Sequence, residues 1–269
     1  MLARRLFCSL RKPIRLKDAL ARRLNPLRVI VARAGLIRRF PNLYISYVPD
    51  RFSEKYCEYI KLGNIAFKEN LRKYLERNEE RNAGDLTRYY FLTLACDQII
   101  KDRVPGHLAE LGVYKGNTAF LLAQTARRMQ RITYLFDTFE GFSPSDLSGI
   151  DADKKMEFGD TSLESVKALV GETNVTFVKG HFPESVSVVA PQVSFCLVHI
   201  DCDLYAPCRA ALEYFYPRLN PGGFLIMHDY SSMYWNGVAK AVDDFFADKV
   251  ERLIPIPDKS GSVAVRKIQ

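Results

Sequence analysis

The sequence predicts an α/β fold, a doubly wound and mostly parallel sheet, and three observations predict it. Short apolar runs alternate with helix-period segments from residue 107 onward, glycines sit at the first strand-to-helix junction, and acidic residues stand where the apolar runs end. Strands that alternate with helices pair in parallel, because each crossover helix returns the chain to the same end of the sheet. The helices then cover both faces.

Each element follows from its own pattern. Residues 52–102 read as helical: Tyr89, Leu92, Cys96 and Ile99 share one face, and DRVPG stops the pattern. HLAELGV (107–113) is the first strand and leads into the helix NTAFLLAQTARRM. ITYLFDTF (132–139) is the second strand. A polar stretch, 140–160, precedes the helix SLESVKALV and the third strand, VTFVKGHF (175–182). The apolar run 193–201 is the fourth strand, and the helix after it (207–219) puts Cys208, Ala211, Leu212, Phe215 and Leu219 on one side. GFLIMHDY (223–230) is the fifth strand. The next helix carries Val238, Ala241, Val242, Phe245 and Phe246 at i, i+3, i+4, i+7 and i+8. RLIPIP and SVAVRK flank the turn DKSG and read as a closing hairpin.

At 269 residues the chain suits one α/β domain with additions, or two small ones. Its charge divides it: residues 1–40 hold twelve Lys/Arg against Asp18 alone, so of the net +8 the remainder carries −3. With this charge division and the helical pattern that follows it, the expected organisation is a basic arm over residues 1–50, a helical cap over 51–102 and a ligand-binding domain over 103–269. The arm, with Leu and Ile among its arginines, reads as a peripheral membrane contact, a nucleic-acid contact, a transit segment or a solvated tail. The mildly acidic domain behind it calls for no nucleic-acid partner and is compatible with a homo-oligomer. No run approaches the roughly 18 consecutive apolar residues of a membrane span, and no signal-peptide h-region is seen. A cytoplasmic location, with contact at the inner membrane face left open, is the expectation. The six cysteines include no C-x-x-C, which points to reduced thiols rather than a zinc knuckle or a disulfide frame.

In a parallel sheet ligands bind outside the carboxyl ends of the strands. The groups expected there are Glu110, Gly112 and Gly116 after the first strand, Asp137 after the second, Gly180 and His181 after the third, Asp201 and Asp203 after the fourth, and His228 and Asp229 after the fifth. ELGVYKGNT lacks the third glycine of a dinucleotide fingerprint. With Asp137 placed to accept ribose hydroxyls, it points to an adenosine cofactor without a pyrophosphate, or else to a plain tight turn. Asp201, Asp203 and Asp229 have no Lys or Arg beside them in sequence, and their repulsion at low effective dielectric calls for a divalent cation. Caps on the following helix and turn are the plainer alternative. His199 reads as a hydrogen-bonded core histidine. The stretch 140–160 is a mobile lid or a solvated loop, and Tyr234 with Trp235 forms an aromatic wall or simple packing.

VPGHLAELGVYKGNTAFLL, FDTFEGF, VHIDCDLYAPCRAALEYFYPRLNPGGFLIMHDY and GVAKAVDDFF together resemble the macrocin O-methyltransferase family. These are S-adenosylmethionine-dependent, metal-assisted sugar O-methyltransferases. The resemblance, from about Leu86 onward, implies a Rossmann-like class I methyltransferase sheet of seven strands with an antiparallel last strand. It implies that Glu110, Gly112 and Gly116 hold the methionine end of S-adenosylmethionine, that Asp137 holds its ribose, and that Gly180 and His181 border its adenine. Asp201 and Asp229, with His228 beside them, become ligands of a divalent metal, Mg²⁺ or Mn²⁺. Asp203 becomes the general base for a sugar hydroxyl of a glycan, glycolipid or glycosylated natural product. One departure stands out: the family usually has an acid where this chain has His228. Phenolic or catechol-like acceptors also chelate through vicinal hydroxyls and stay open, as does a non-catalytic binding role for the arm.

Overall fold

In the computed structural model, which describes residues 85–268, the expected strands join in one sheet. They are β1 (His107–Leu111), β2 (Thr133–Asp137), β3 (Val175–Lys179), β4 (Phe195–Ile200), β5 (Leu219–Met227), β6 (Ile254–Ile256) and β7 (Ser262–Arg266). Their order is β3-β2-β1-β4-β5-β7-β6, and only β7 runs antiparallel to its neighbours. The expected arm and the cap up to residue 84 lie outside the described residues. The cap's last turns are helix α1 (Leu86–Lys101). The other helices are α2 (Asn117–Met129), α3 (Leu163–Val170), α4 (Tyr205–Phe215) and α5 (Asn236–Phe246).

The strand order explains where a ligand goes. From β1 the chain builds outward through β2 and β3, then returns to place β4 on the other side of β1. Connections that leave in opposite directions open a crevice above the ends of β1 and β4. Alternation of side chains across each strand sorts the core. Ala109, Val198, Leu225 and Val265 pack with α4 and α5 on one face, while Leu108, Leu197, Phe224 and Ile226 pack with α1 and α2 on the other. β4, in the middle, is buried at all six positions, which is why its run is apolar on both faces apart from His199.

Two boundaries differ from the sequence reading. β5 begins at Leu219 rather than 223, because Leu219 pairs with Phe195 and a register shift between Phe195 and Leu197 absorbs the Asn-Pro-Gly-Gly segment. Helix α4 begins at Tyr205, two residues before Pro207. Its N-cap, Leu204, has no side-chain acceptor, and neither Asp201 nor Asp203 supplies one; Asp151, from the stretch 140–160, accepts from Tyr205 N at 2.7 Å. The long polar loop is thereby tied to the sheet.

Candidate active site

A cavity of about 350 Å³ opens at the β1–β4 crevice. Gly112, Gly116's neighbours Lys115 and Asn117, Asp137, Gly180 and His181 lie toward β2 and β3. Asp201, Asp203, His228 and Asp229 lie toward β5. Four lining residues other than glycine hold a positive φ: Tyr114, Phe158, Asp203 (64°) and Asp229 (60°). Left-handed backbone at side-chain-bearing residues is costly, and it gathers where side chains must be aimed into a site.

The wall beside β2 is organised by backbone amides. Gly112 has φ +86°, and a Cβ built there would stand 1.8 Å from the carbonyl oxygen of Asp201, so β1 and β4 can approach only because no side chain intervenes. Asp137 Oδ2 accepts from the N–H groups of Val113 and Tyr114 at 2.7 and 2.9 Å, and its Oδ1 accepts from Phe139 at 2.6 Å. Burial pushes the Asp137 carboxyl up, and these amides oppose the shift. The aspartate thus shapes the turn of the cavity as well as facing it. His181 sits between Asp146 (2.9 Å) and Glu184 (2.7 Å). Burial disfavours charge on this ring, but the two acids outweigh it and raise its pKa.

Glu110 is placed differently from the expectation. It is fully buried beneath the cavity, outside its lining, where Oε1 accepts from Thr118 Oγ1 at 2.5 Å and pairs with His199 Nδ1 at 2.8 Å. Strand periodicity explains this: Glu110 is in register with His199 and points toward the α1–α2 face, so it reaches the cavity only through Thr118, which does line it. His199 is the hydrogen-bonded core histidine that the sequence favoured.

Opposite lies an aromatic wall. Tyr114 packs edge-on against Phe158 (5.2 Å between centroids), Phe158 against Phe142 (5.2 Å), and Phe142 against Trp235 (5.6 Å). The loop that carries Phe142 and Phe158 is pinned. Asp151 is 1% exposed, caps α4, and lies so close to Gly237 at the start of α5 that a Cβ there would meet its oxygens at 2.5 Å. The reading of 140–160 as a mobile lid or a solvated loop gives way to a loop fastened at its centre, since a carboxylate between two helix N-termini has favourable dipoles on both sides.

The acidic wall contains a cation that the sequence reading missed. Arg88, on α1, places Nη1 2.9 Å from Asp201 Oδ2, with only 6% of its side chain exposed. His228 Nδ1 lies 2.9 Å from Asp201 Oδ1 and 2.7 Å from Asp229 Oδ2. Burial would raise the Asp201 carboxyl, but His228 and Arg88 hold it far below the usual carboxylate range. Burial, Asp229 and Asp201 push Asp203 well above that range. Lys259 and Ser260, from the turn before β7, also line the cavity. Nothing local marked Arg88 or Lys259, because 113 residues separate Arg88 from Asp201.

Ligand atoms of Asp201, His228 and Asp229 lie within 4.8 Å of one another, as a shared metal requires. The charge argument for the ion does not carry over. Asp201 and Asp229, which looked uncompensated in sequence, are engaged by a guanidinium and an imidazole N–H, so the space between these two carboxylates as it stands does not fit a divalent cation, while Asp203 is still raised by its acidic neighbours.

The family model for macrocin O-methyltransferase (TylF) matches residues 85–260. The chain belongs to the macrocin O-methyltransferase family. Among relatives of this family member, the 8-demethyl-8-(2,3-dimethoxy-alpha-L-rhamnosyl)-tetracenomycin-C 4'-O-methyltransferase of Streptomyces olivaceus is 30% identical over 52% of this chain. The demethyldecarbamoylnovobiocin O-methyltransferase of Streptomyces niveus is 29% identical over 61% of it. The match spans 59% of the first relative's length and 68% of the second's. The O-methyltransferase NovP superimposes with a TM-score of 0.60 at 24% identity, covering 68% of this chain and 80% of NovP. The calicheamicin methyltransferase CalS11 gives 0.54 at 21% identity, covering 82% of this chain and 95% of CalS11. The macrocin-family chain therefore has the class I methyltransferase fold expected from its sequence. Among its described residues no helix is long and apolar enough to cross a membrane.

Proposed function

We propose that this chain is an S-adenosylmethionine-dependent O-methyltransferase acting on a sugar hydroxyl of a glycan, glycolipid or glycosylated natural product. The observation that carries the proposal is one cavity in which an amide-lined turn faces Asp203, an acid of raised proton affinity. The family match supports the reaction class, and the relative named for a rhamnosyl-bearing substrate supports a sugar acceptor.

The residues fit the cofactor. The cavity is of the size that holds a small ligand. Gly112 lines the cavity while its Cα side packs on the Asp201 carbonyl, Gly116 lies outside the lining against Val166 and Val170 of α3, Asp137 holds the turn that would meet the ribose, and Gly180 with the fixed ring of His181 would border the adenine. Glu110 acts from below, through Thr118. S-adenosylmethionine, when bound, supplies a methyl group on a positively charged sulfur. The protein's share is then to seat the acceptor against Phe142, Phe158 and Trp235, to exclude water with the pinned loop, and to take the hydroxyl proton on the Asp203 carboxylate. A base whose proton affinity is raised removes that proton more readily once it is itself deprotonated. No step runs through a metal. A peripheral membrane contact by residues 1–40 would suit a lipid-linked acceptor, and liposome co-sedimentation with and without them tests it.

Calorimetry with S-adenosylhomocysteine against NAD tests the cofactor; tight binding of NAD alone would sink the reading. Labelled S-adenosylmethionine incubated with a glycan extract, followed by mass spectrometry, identifies the acceptor, and a labelled catechol instead would move the assignment to phenols. Asp203→Asn is expected to keep S-adenosylhomocysteine binding and to lose turnover by about 10²-fold or more, the usual scale for a positioned base. Equal turnover would remove Asp203 from that role.

A further inference from the structure

The acidic wall carries its own countercharge, and the geometry says where it sits. Asp201 has both oxygens engaged: Oδ2 by Arg88 Nη1 at 2.9 Å and Oδ1 by His228 Nδ1 at 2.9 Å. The same Nδ1 lies 2.7 Å from Asp229 Oδ2. A ring nitrogen held at that distance from two carboxylate oxygens carries its hydrogen whether the ring is neutral or charged, so its lone pair is not available to a metal. A His228 ligand atom also lies within 4.8 Å of carboxylate oxygens of Asp85 and Asp258, a second group apart from the Asp201–Asp229 pair, and the buried Nε2 has no hydrogen-bond partner among the described residues. Arg88 is also tied back to Asp85, Nε to Oδ2, at 3.3 Å.

A hard divalent ion such as Mg²⁺ keeps several waters but still needs one or two carboxylates with oxygens free to bind it. Here an ion between Asp201 and Asp229 would have to displace the His228 N–H, strip Arg88 from Asp201 and then stand beside a guanidinium that never loses its charge. Arg88 reaches this place because α1 packs against β4 and β5 through Leu92, Cys96 and Ile99. His228 reaches it as the first residue beyond β5, where the family usually has an acid.

We propose that Arg88 Nη1 and His228 Nδ1, as fixed side-chain donors, take up the carboxylate oxygens that an ion between Asp201 and Asp229 would need, so that no divalent ion is held between these two acids and Asp201, fixed by those donors, faces the acceptor instead. As the route by which the acceptor hydroxyl is held, this rests on the methyltransferase reading; as a statement about ion binding, it does not. Arg88 is here a positioning residue, acting through Asp201.

The test is a Mn²⁺ titration of the full chain with S-adenosylhomocysteine, read by the electron paramagnetic resonance signal of free Mn²⁺. The wild type, like Arg88→Lys, which keeps the charge, is expected to show no Mn²⁺ uptake that Asp201→Asn abolishes. The double variant Arg88→Gln/His228→Asp, which removes the guanidinium charge and the imidazole and puts an acid at 228, is expected to withdraw one Mn²⁺ per chain more than the wild type. Stoichiometric uptake by the wild type that Asp201→Asn abolishes would overturn the proposal. So would a folded double variant, judged by circular dichroism, that takes up no more than the wild type. If the double variant does not fold, the wild type with Asp201→Asn still decides. Absence of S-adenosylhomocysteine heat in calorimetry would count against the proposed function, while the Mn²⁺ signal would go on deciding this inference.

Discussion

The two walls of the cavity are built in different ways. Beside β2, one aspartate accepts three backbone N–H groups, all within 24 residues of it in sequence, and the turn is shaped by local hydrogen bonds. Beside β5, side chains from α1, β4's end and β5's end hold one another by charge across more than a hundred residues. A wall of amides tolerates change in its side-chain neighbours. A wall of mutually dependent buried charges does not, because removing one partner leaves another unpaired.

Changes at three places, and a change of pH, would break or sharpen that contrast. Gly112 joins the two walls, and Gly112→Ala puts a Cβ 1.8 Å from the Asp201 carbonyl oxygen at φ +86°. Both walls should fail together, with a loss above ~4 kcal/mol or no soluble protein, the range reserved for gross backbone strain. Unchanged chemical denaturation would show that the strands separate freely. His228→Asn, on the acidic side, is expected to cost roughly 3–5 kcal/mol, the scale for breaking a buried charge network, while leaving S-adenosylhomocysteine binding in place. Loss of both by the same factor would mean that the walls are one unit.

Asp137→Asn is the converse. A carboxamide has one acceptor oxygen where the carboxylate uses two, so about one to two amides lose a partner at ~1–3 kcal/mol each. S-adenosylhomocysteine affinity should fall sharply, and the pH response described next should persist.

That response is the smallest effect. Burial and Arg88 work against a charged His228, but Asp201 and Asp229 outweigh them and lift its pKa from 6.5 to about 9. A raised pKa means that the stabilisation is complete below 6.5 and lost as the pH climbs through about 9. Asp203, also raised, contributes in the same direction, whereas the stabilisation from depressed Asp201 is lost only in acid. Melting temperature should therefore decline on the alkaline side, by about 2–4 °C for each kcal/mol lost at this size. The decline should shrink in His228→Asn; an unaltered pH profile in that variant would place the titration elsewhere.

The sequence was most legible where chemistry and period coincide. The helix NTAFLLAQTARRM occupies the residues its spacing predicted, and Asp201, Asp203, His228 and Asp229 converge because β4 and β5 are neighbours. Glu110 was misread because its side depends on strand phase relative to the sheet, and that phase turns it toward the α1–α2 face. Asp151 looked like one more acid in a polar loop, yet it is the buried clasp between α4 and α5. Its role depends on two helix N-termini that only folding brings to it.

By itself the sequence determined the α/β class, the strand-end residues that gather at one crevice, and the family through motifs that sit on those ends. These are properties of period and local order, written in consecutive residues. Only the tertiary structure decided what neutralises the acids, because countercharge is a matter of distance in space: Arg88 becomes the partner of Asp201 once α1 lies against β4 and β5. The same packing gives Asp201 and Asp229 partners that no local sequence shows, while Asp203 keeps the raised proton affinity that its acidic neighbours impose.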